Sequence, residues 1–168
     1  MEDNKQEQFN NLLKRGTDLL RAGKTAAALP LLEKAYKIDP ENADAALNLS
    51  GAYILSKRFR EAVPILEKLS ERDPDNAMVW TNLGAAYLGN PVLAKDAEQM
   101  KAVAAFKQAL AVNPAAPHVA YNIGLIYRDR QDNEAAIHWF RKALQANPRD
   151  KDARRLITRL EKENDSPS

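Results

Sequence analysis

The sequence predicts an all-α fold of four stacked helix pairs followed by a closing helix. Three observations predict it: a composition that favours helices, prolines at nearly regular spacing, and a shared apolar pattern between them. Of 168 residues, 28 are Ala and only 6 are Gly. This bias favours helices because Ala has the best helix propensity and Gly one of the worst. A hydrophobic content of 45% beside 29% charged residues is typical of a folded chain.

Four prolines mark the ends of the repeats. Each follows Asp or Asn, and their separations are 34, 40 and 34 residues: Pro40, Pro74, Pro114 and Pro148. The residue before a proline is disfavoured in a helix, and proline itself donates no hydrogen bond, so each one predicts the end of a helical unit. After a lead-in of residues 1–8, the predicted units are 9–42, 43–76, 77–116 and 117–150.

The four units share an internal pattern. A small residue stands eighth in each unit: Gly16, Ser50, Gly84 and Gly124. An alanine always stands twelve residues before the proline: Ala28, Ala62, Ala102 and Ala136. A large apolar residue stands eight before it: Leu32, Leu66, Phe106 and Phe140. Small residues on one helix opposite large ones on the next predict two closely packed antiparallel helices in each unit.

A single helix pair cannot bury its apolar face, so we expect the four pairs to stack in a row. Residues 151–163 predict an amphipathic helix that caps the last pair, with Asp150 at its N-cap. Residues 164–168 are predicted to be a flexible tail. The chain therefore has a row of neighbouring cores instead of one central core.

Unit three carries the fullest set of pattern residues: Trp80, Leu83, Gly84, Tyr87, Ala102, Phe106, Ala109 and Pro114. This set resembles the tetratricopeptide repeat, a 34-residue helix–turn–helix unit with the pattern W-x2-L-G-x2-Y, then A-x3-F, A and P. Unit four matches nearly as well, unit two has Ser50 for glycine, and unit one departs most, with Arg15 where Leu is expected. The resemblance implies a right-handed α-solenoid, which defines architecture better than function.

Composition excludes several classes of function. Without cysteine there is no disulfide, thiolate zinc site or iron–sulfur cluster. His118 and His138 fit no metal-ligand pattern. A net charge of +2 gives no reason to expect a nucleic-acid partner, and no apolar run approaches the length of a membrane span. We expect no catalytic residue, no metal and no cofactor, and a cytoplasmic location.

The resemblance implies that the first helix of each unit lines a concave face, with its sixth residue turned toward a bound peptide. That residue is Lys14 in unit one and an asparagine in the others: Asn48, Asn82 and Asn122. An amide offers a donor and an acceptor together, which suits the backbone of an extended peptide. The neighbours expected to select side chains are Leu47, Thr81, Tyr121 and Leu125. The same amides fit equally well as solvated polar positions of the family pattern.

These residues predict a protein-binding module that holds an extended peptide or partner helix in its concave groove, as an adaptor, co-chaperone or assembly factor. The alternative is a structural scaffold that self-associates weakly or docks partners through its convex face or its ends. A clamp for the carboxylates of heat-shock chaperones is disfavoured, because Asp44 stands where the family's clamp has a lysine.

Unit three contains six extra residues. We expect its second helix to begin early, gaining about 9 Å at 1.5 Å per residue. One interpretation is a projecting edge that offers Val92, Leu93 and Met100 to a partner. The sequence favours the other, a tolerated insertion that packs on the chain itself. Trp80 and Trp139 are predicted to be packing residues instead of ligand platforms.

Overall fold

A computed structural model describes residues 2–90 and 94–165 of the chain. Within these residues the chain forms nine α-helices and no strand. The helices are α1 (Glu2–Arg21), α2 (Thr25–Ile38), α3 (Ala43–Leu55), α4 (Phe59–Arg72), α5 (Ala77–Leu88), α6 (Asp96–Val112), α7 (Val119–Asp129), α8 (Asn133–Ala146) and α9 (Lys151–Asp165). The predicted all-α class is confirmed.

The helices pack in sequence order as four antiparallel pairs, α1 with α2, α3 with α4, α5 with α6 and α7 with α8. The second helix of each pair also packs on the first helix of the next, and α9 packs on α8. The first helices α1, α3 and α5 contact one another in turn, which makes them the inner layer of an α-solenoid.

Glycine on one helix allows close approach of the other within a pair. A Cβ added at Gly84 would lie 2.6 Å from the ring of Phe106, and one at Gly124 would lie 2.7 Å from the ring of Phe140. In pair one, a Cβ added at Gly16 would lie 2.7 Å from the side chain of Leu32. Pair two has Ser50 at this position, which is fully buried and donates its hydroxyl to the carbonyl of Leu47. The predicted contact between small and large residues is therefore present.

The buried apolar residues form several clusters along the row. The largest runs from α2 to α6, a second joins α6 to α7, and a third joins α8 to α9. A small fourth cluster surrounds Phe9 at the N-terminal end. The repeat alanines are all fully buried at 0% exposure: Ala28, Ala62, Ala102 and Ala136. Stacking of neighbouring pairs thus supplies the core, as predicted.

The two ends of the chain are more helical than the sequence predicted. The helix α1 begins at Glu2, so residues 2–8 of the predicted lead-in continue the first helix. At the other end, the carboxylate of Asp150 accepts the backbone N–H of Ala153 at 2.9 Å, as expected of an N-cap. The helix α9 then runs two residues past 163, and Asn164 accepts a hydrogen bond from Asn133. Residues 166–168 lie outside the described residues.

The insertion in unit three lengthens α6 less than predicted. In the other pairs the second helix begins three residues before the repeat alanine, whereas α6 begins six residues before Ala102. The gain is three residues, about 4.5 Å instead of about 9 Å. The new turn is tied to the end of α7, because the guanidinium of Arg130, the residue after α7, donates to Asp96 at 2.8 Å and to Gln99 at 3.2 Å. Met100 is 42% exposed, while Val92 and Leu93 lie outside the described residues.

Candidate functional site

The candidate site is the inner face formed by the first helices of the pairs. The four residues predicted to point into it occupy equivalent places on α1, α3, α5 and α7. Lys14 is exposed, and Asn48, Asn82 and Asn122 are half-buried. The amide nitrogen of Asn82 lies 4.0 Å from the place a Cβ would take on Gly51, so this side chain reaches across from α5 to α3.

The hydrogen bonding of the asparagines differs with their place in the repeat. Those at helix starts are occupied locally, as Asn42 accepts the backbone N–H of Ala45 and Asn76 that of Met78. In the described part of the chain, the side chains of Asn48, Asn82 and Asn122 form no hydrogen bond with any protein group. Three half-buried amides at equivalent repeat positions are thus free to donate to and accept from a ligand.

The predicted neighbours of these amides, in contrast, make contacts within the protein. Leu47 packs against the first apolar cluster, and Leu125 against the third. The hydroxyl of Thr81 donates to the carbonyl of Ala77 at 2.8 Å, one helical turn back. Such anchored side chains can present a surface to a ligand but are not free to rearrange around it.

Tyr121 is anchored in the same way. Its ring lies 5.4 Å from that of Phe140, centroid to centroid, at an angle of 56°. Burial is the main reason that the pKa of the Tyr121 hydroxyl is raised, and the carboxylates of Asp152 and Asp150 add to the effect. The phenol is therefore a neutral donor at physiological pH.

Sequence reasoning did not assign two apolar residues that the inner helices expose. Met78 is 60% exposed and lies one helical turn before Asn82 on α5, while Leu55 is 65% exposed at the end of α3. The spacing of four residues between Met78 and Asn82 was the available signal, since residues so spaced share one helix face. Exposed apolar side chains at these places add hydrophobic contacts to the polar amides.

The two tryptophans pack as predicted. Trp80 is half-buried between the first and second clusters, and its indole N–H donates to the carbonyl of Pro74 at 2.7 Å. Trp139 is half-buried against the second cluster.

Two absences apply to residues 2–90 and 94–165. These residues contain no group of three or more His, Asp or Glu side chains placed to hold a metal ion. None of their helices is both long and apolar enough to cross a membrane.

Models of the tetratricopeptide repeat match residues 19–86 and 97–151 of the chain. No curated protein sequence gives a match. Among solved structures, TTC0263, a thermophilic TPR protein of Thermus thermophilus, has a TM-score of 0.73 and 24% identity, over 92% of this chain and 82% of its own.

Two structures of MamA are also similar. One has a TM-score of 0.80 and 23% identity, with 94% of this chain and 83% of its own covered. The other, MamA AMB-1, has a TM-score of 0.69 and 28% identity, with 83% and 78% covered. These likenesses agree with the observed stack of helix pairs.

Proposed function

Since the chain belongs to the tetratricopeptide repeat family, we propose that it binds an extended peptide or a partner helix along its inner face, as an adaptor, co-chaperone or assembly factor. Proteins of this family are protein-interaction modules, and their fold is typically a non-catalytic scaffold. The observation that carries the finer proposal is the row of three half-buried amides without protein partners, Asn48, Asn82 and Asn122.

The row favours recognition of a backbone over recognition of charge. In an extended peptide the N–H and C=O of one residue point to the same side, so a side-chain amide can pair with both whatever that residue's side chain is. Between the amides, Met78 and Leu55 offer apolar contact, and Asp44 is the exposed charge on α3. An extended segment with apolar side chains fits this face better than a run of acidic residues, which the Asp44 carboxylate repels.

The test begins with peptides selected from a random phage-displayed library on the full chain. Their dissociation constants are then measured by fluorescence anisotropy. We expect Asn82→Ala to weaken binding more than tenfold, because two net hydrogen bonds of about 0.5–1.5 kcal/mol each are lost. Gln108→Ala is the matched control, since it removes an exposed amide from the outer helix α6.

If the Asn82→Ala variant binds these peptides with the dissociation constant of the wild type, the proposal that the amides bind the peptide is wrong. If all selected peptides also bind the triple variant Asn48→Ala, Asn82→Ala and Asn122→Ala as tightly as the wild type, the binding face lies elsewhere on the solenoid.

A further inference from the structure

A second surface lies on the outer side of the solenoid. One repeat position there is acidic in units one and two and basic in units three and four. Five residues after the repeat alanine stand Glu33, Glu67, Lys107 and Arg141. The first two carboxylates accept hydrogen bonds from tyrosines of the next pair, at 3.0 Å from Tyr53 and 2.6 Å from Tyr87. Arg141 donates to Glu161 of α9 at 2.8 Å.

Lys107 does not form the equivalent link. It stands where a carboxylate would meet Tyr127, and a lysine offers that hydroxyl no acceptor. Its ammonium instead lies 5.7 Å from the ring centroid of Trp139 on α8. Lys142 lies over the same ring, with its ammonium 4.9 Å from the centroid. We refer to Lys107, Trp139 and Lys142 as the lysine–tryptophan cluster.

Among the described residues, the two lysines of this cluster have no carboxylate within salt-bridge distance. In the described part of the chain neither lysine forms a salt bridge, whereas Lys68 and Arg72 on α4 both pair with Glu41. No Asp or Glu occurs in residues 99–128 or 135–149, which include most of α6 and α8. Two cations that share one ring repel each other, and a carboxylate placed beside them relieves that repulsion.

A groove continues from the cluster between the end of α6 and the end of α8. Its volume is about 350 Å³, and it is lined by Leu110, Pro114, Ala115, Ala120, Lys142, Gln145 and Ala146. The groove exists partly because Ala120 occupies the repeat position that Trp80 fills on α5. Lys142 belongs to both the cluster and the groove, so a charged site and an apolar one meet at this residue.

The far end of the groove leads to a carboxylate instead of to the two lysines. An adjoining cavity of about 230 Å³ shares Pro114 and Ala146 with it and extends to His118 and Asp150. The Asp150 carboxylate disfavours a ligand carboxylate there. A segment in the groove therefore places its acidic residues toward Lys107 and Lys142 and its apolar side chain toward Pro114.

We propose that the lysine–tryptophan cluster and this groove form a second docking site, for an acidic peptide segment that carries an apolar anchor. The cluster receives the carboxylates, and the groove receives the anchor. Two lysines are too few for a nucleic-acid track, which needs a longer row of cations. A recessed groove also does not suit a membrane surface, which is bound by protruding apolar side chains. The proposal is independent of the inner face.

The test uses acidic peptides with one apolar anchor, selected from the same library and measured by fluorescence anisotropy. We expect the double variant Lys107→Gln and Lys142→Gln to bind them about tenfold more weakly, and wild-type affinity to fall as salt is raised. Lys34→Gln with Lys37→Gln is the matched control, since it removes two exposed lysines from α2 and should leave binding unchanged. Equal binding by the wild type and the double variant overturns the proposal.

A single charge reversal separates binding from folding. Lys107→Glu supplies the carboxylate that Tyr127 lacks, so we expect this variant to unfold at the same or a higher temperature while it loses the acidic peptides. Retained binding overturns the proposal. So does loss of binding in the triple asparagine variant, since it assigns the peptides to the inner face.

Two further probes cover the other ligands of a cationic surface. Vesicles of phosphatidylcholine and phosphatidylserine in equal parts, and a random-sequence DNA duplex, are offered to the same variants. We expect no binding of either that depends on Lys107 and Lys142. Lysine-dependent binding to the vesicles or to the duplex, without binding to the peptides, overturns the proposal in favour of that ligand.

Discussion

The contact of α4 with α5 and that of α6 with α7 join successive pairs at equivalent places, yet they are built differently. Four residues, 73–76, connect α4 to α5, whereas six residues, 113–118, connect α6 to α7. Asn76 caps α5 with its side chain, whereas Ala116 holds that repeat position before α7. The helix α7 instead follows His118, whose φ of 62° lies in the left-handed region and whose side chain makes no capping bond.

The side chains also fill the junction of α4 with α5 more completely than the junction of α6 with α7. At the junction of α4 with α5, Trp80 fills the space beneath the connection and Tyr87 bonds to Glu67. At the junction of α6 with α7, the equivalent residues are Ala120, Tyr127 and Lys107, and a groove takes the place of the indole. Stacking residues of a repeat can thus be replaced at one junction while they are kept at another, and the surface gained here is apolar and positively charged.

The largest effect is expected at Trp80. Trp80→Ala removes an indole that packs against two clusters, and it also leaves the carbonyl of Pro74 without its donor. We expect a loss of about 3 kcal/mol in the free energy of unfolding, measured by urea denaturation. Trp139→Ala is the matched control and should cost about half as much, since Trp139 packs against one cluster. Equal losses would show that the two junctions depend on their tryptophans to the same degree.

The next effect concerns the close approach within pairs. Gly84→Ala and Gly124→Ala should each destabilise the chain by about 1–3 kcal/mol, although alanine is the better helix former, because the added Cβ meets a phenylalanine ring. Gly51→Ala should instead stabilise it by about 0.5–1 kcal/mol, since its Cβ meets nothing closer than 4.0 Å. Thermal unfolding of the three variants measures the contrast, and stabilisation by all three would contradict the close approach of the paired helices.

A smaller effect is expected from the different caps of α5 and α7. Asn76→Ala removes the acceptor for the backbone N–H of Met78 and should cost about 1 kcal/mol in the free energy of unfolding. His118→Ala removes no capping bond, so we expect a change within about 0.5 kcal/mol. Both values come from urea denaturation, and a larger loss for His118→Ala would show that its side chain holds the start of α7.

The sequence predicted the repeated parts of this fold because one physical constraint recurs in each unit. Proline at the end, a small residue, a large apolar residue and a buried alanine recur with a period that can be read directly. The alanines are buried, and the three glycines of this position face the large residues as expected. The family resemblance, in contrast, is what implied an inner-face position for Asn48, Asn82 and Asn122. Whether they bind a peptide stays a prediction, since the repeat pattern also accounts for polar residues at these places.

What the sequence did not predict depends on contacts between units. The new turn of α6 is fixed by Arg130, which lies 34 residues from Asp96, so no local pattern pointed to it. The lysine–tryptophan cluster joins residues of two different helices, α6 and α8, so it is visible only in the folded chain. The signal that was available is the change from Glu33 and Glu67 to Lys107 at one repeat position.

The smallest expected effect tests the tyrosine link at one junction against its absence at the other. Near neutral pH, Tyr87→Phe should cost about 0.5–1 kcal/mol, because it removes the hydrogen bond to Glu67. Tyr127→Phe should change the free energy of unfolding by less than about 0.5 kcal/mol, since in the described part of the chain its hydroxyl makes no hydrogen bond. Equal losses in the two variants would mean that the hydrogen bond from Tyr87 to Glu67 does not contribute to the free energy of unfolding.

The pH dependence of unfolding also tests the hydrogen bonds between these tyrosines and glutamates. Burial, followed by the hydrogen bond to Glu67, raises the pKa of Tyr87 from 10.0 to about 12, and burial with Glu33 does the same for Tyr53. A tyrosine whose pKa is raised on folding stabilises the fold fully below pH 10, and this contribution is lost as the pH rises toward 12. The double variant Tyr53→Phe and Tyr87→Phe should therefore lose less stability than the wild type over this range in urea denaturation. A parallel decline in both proteins would show that these two hydroxyls do not govern the alkaline transition.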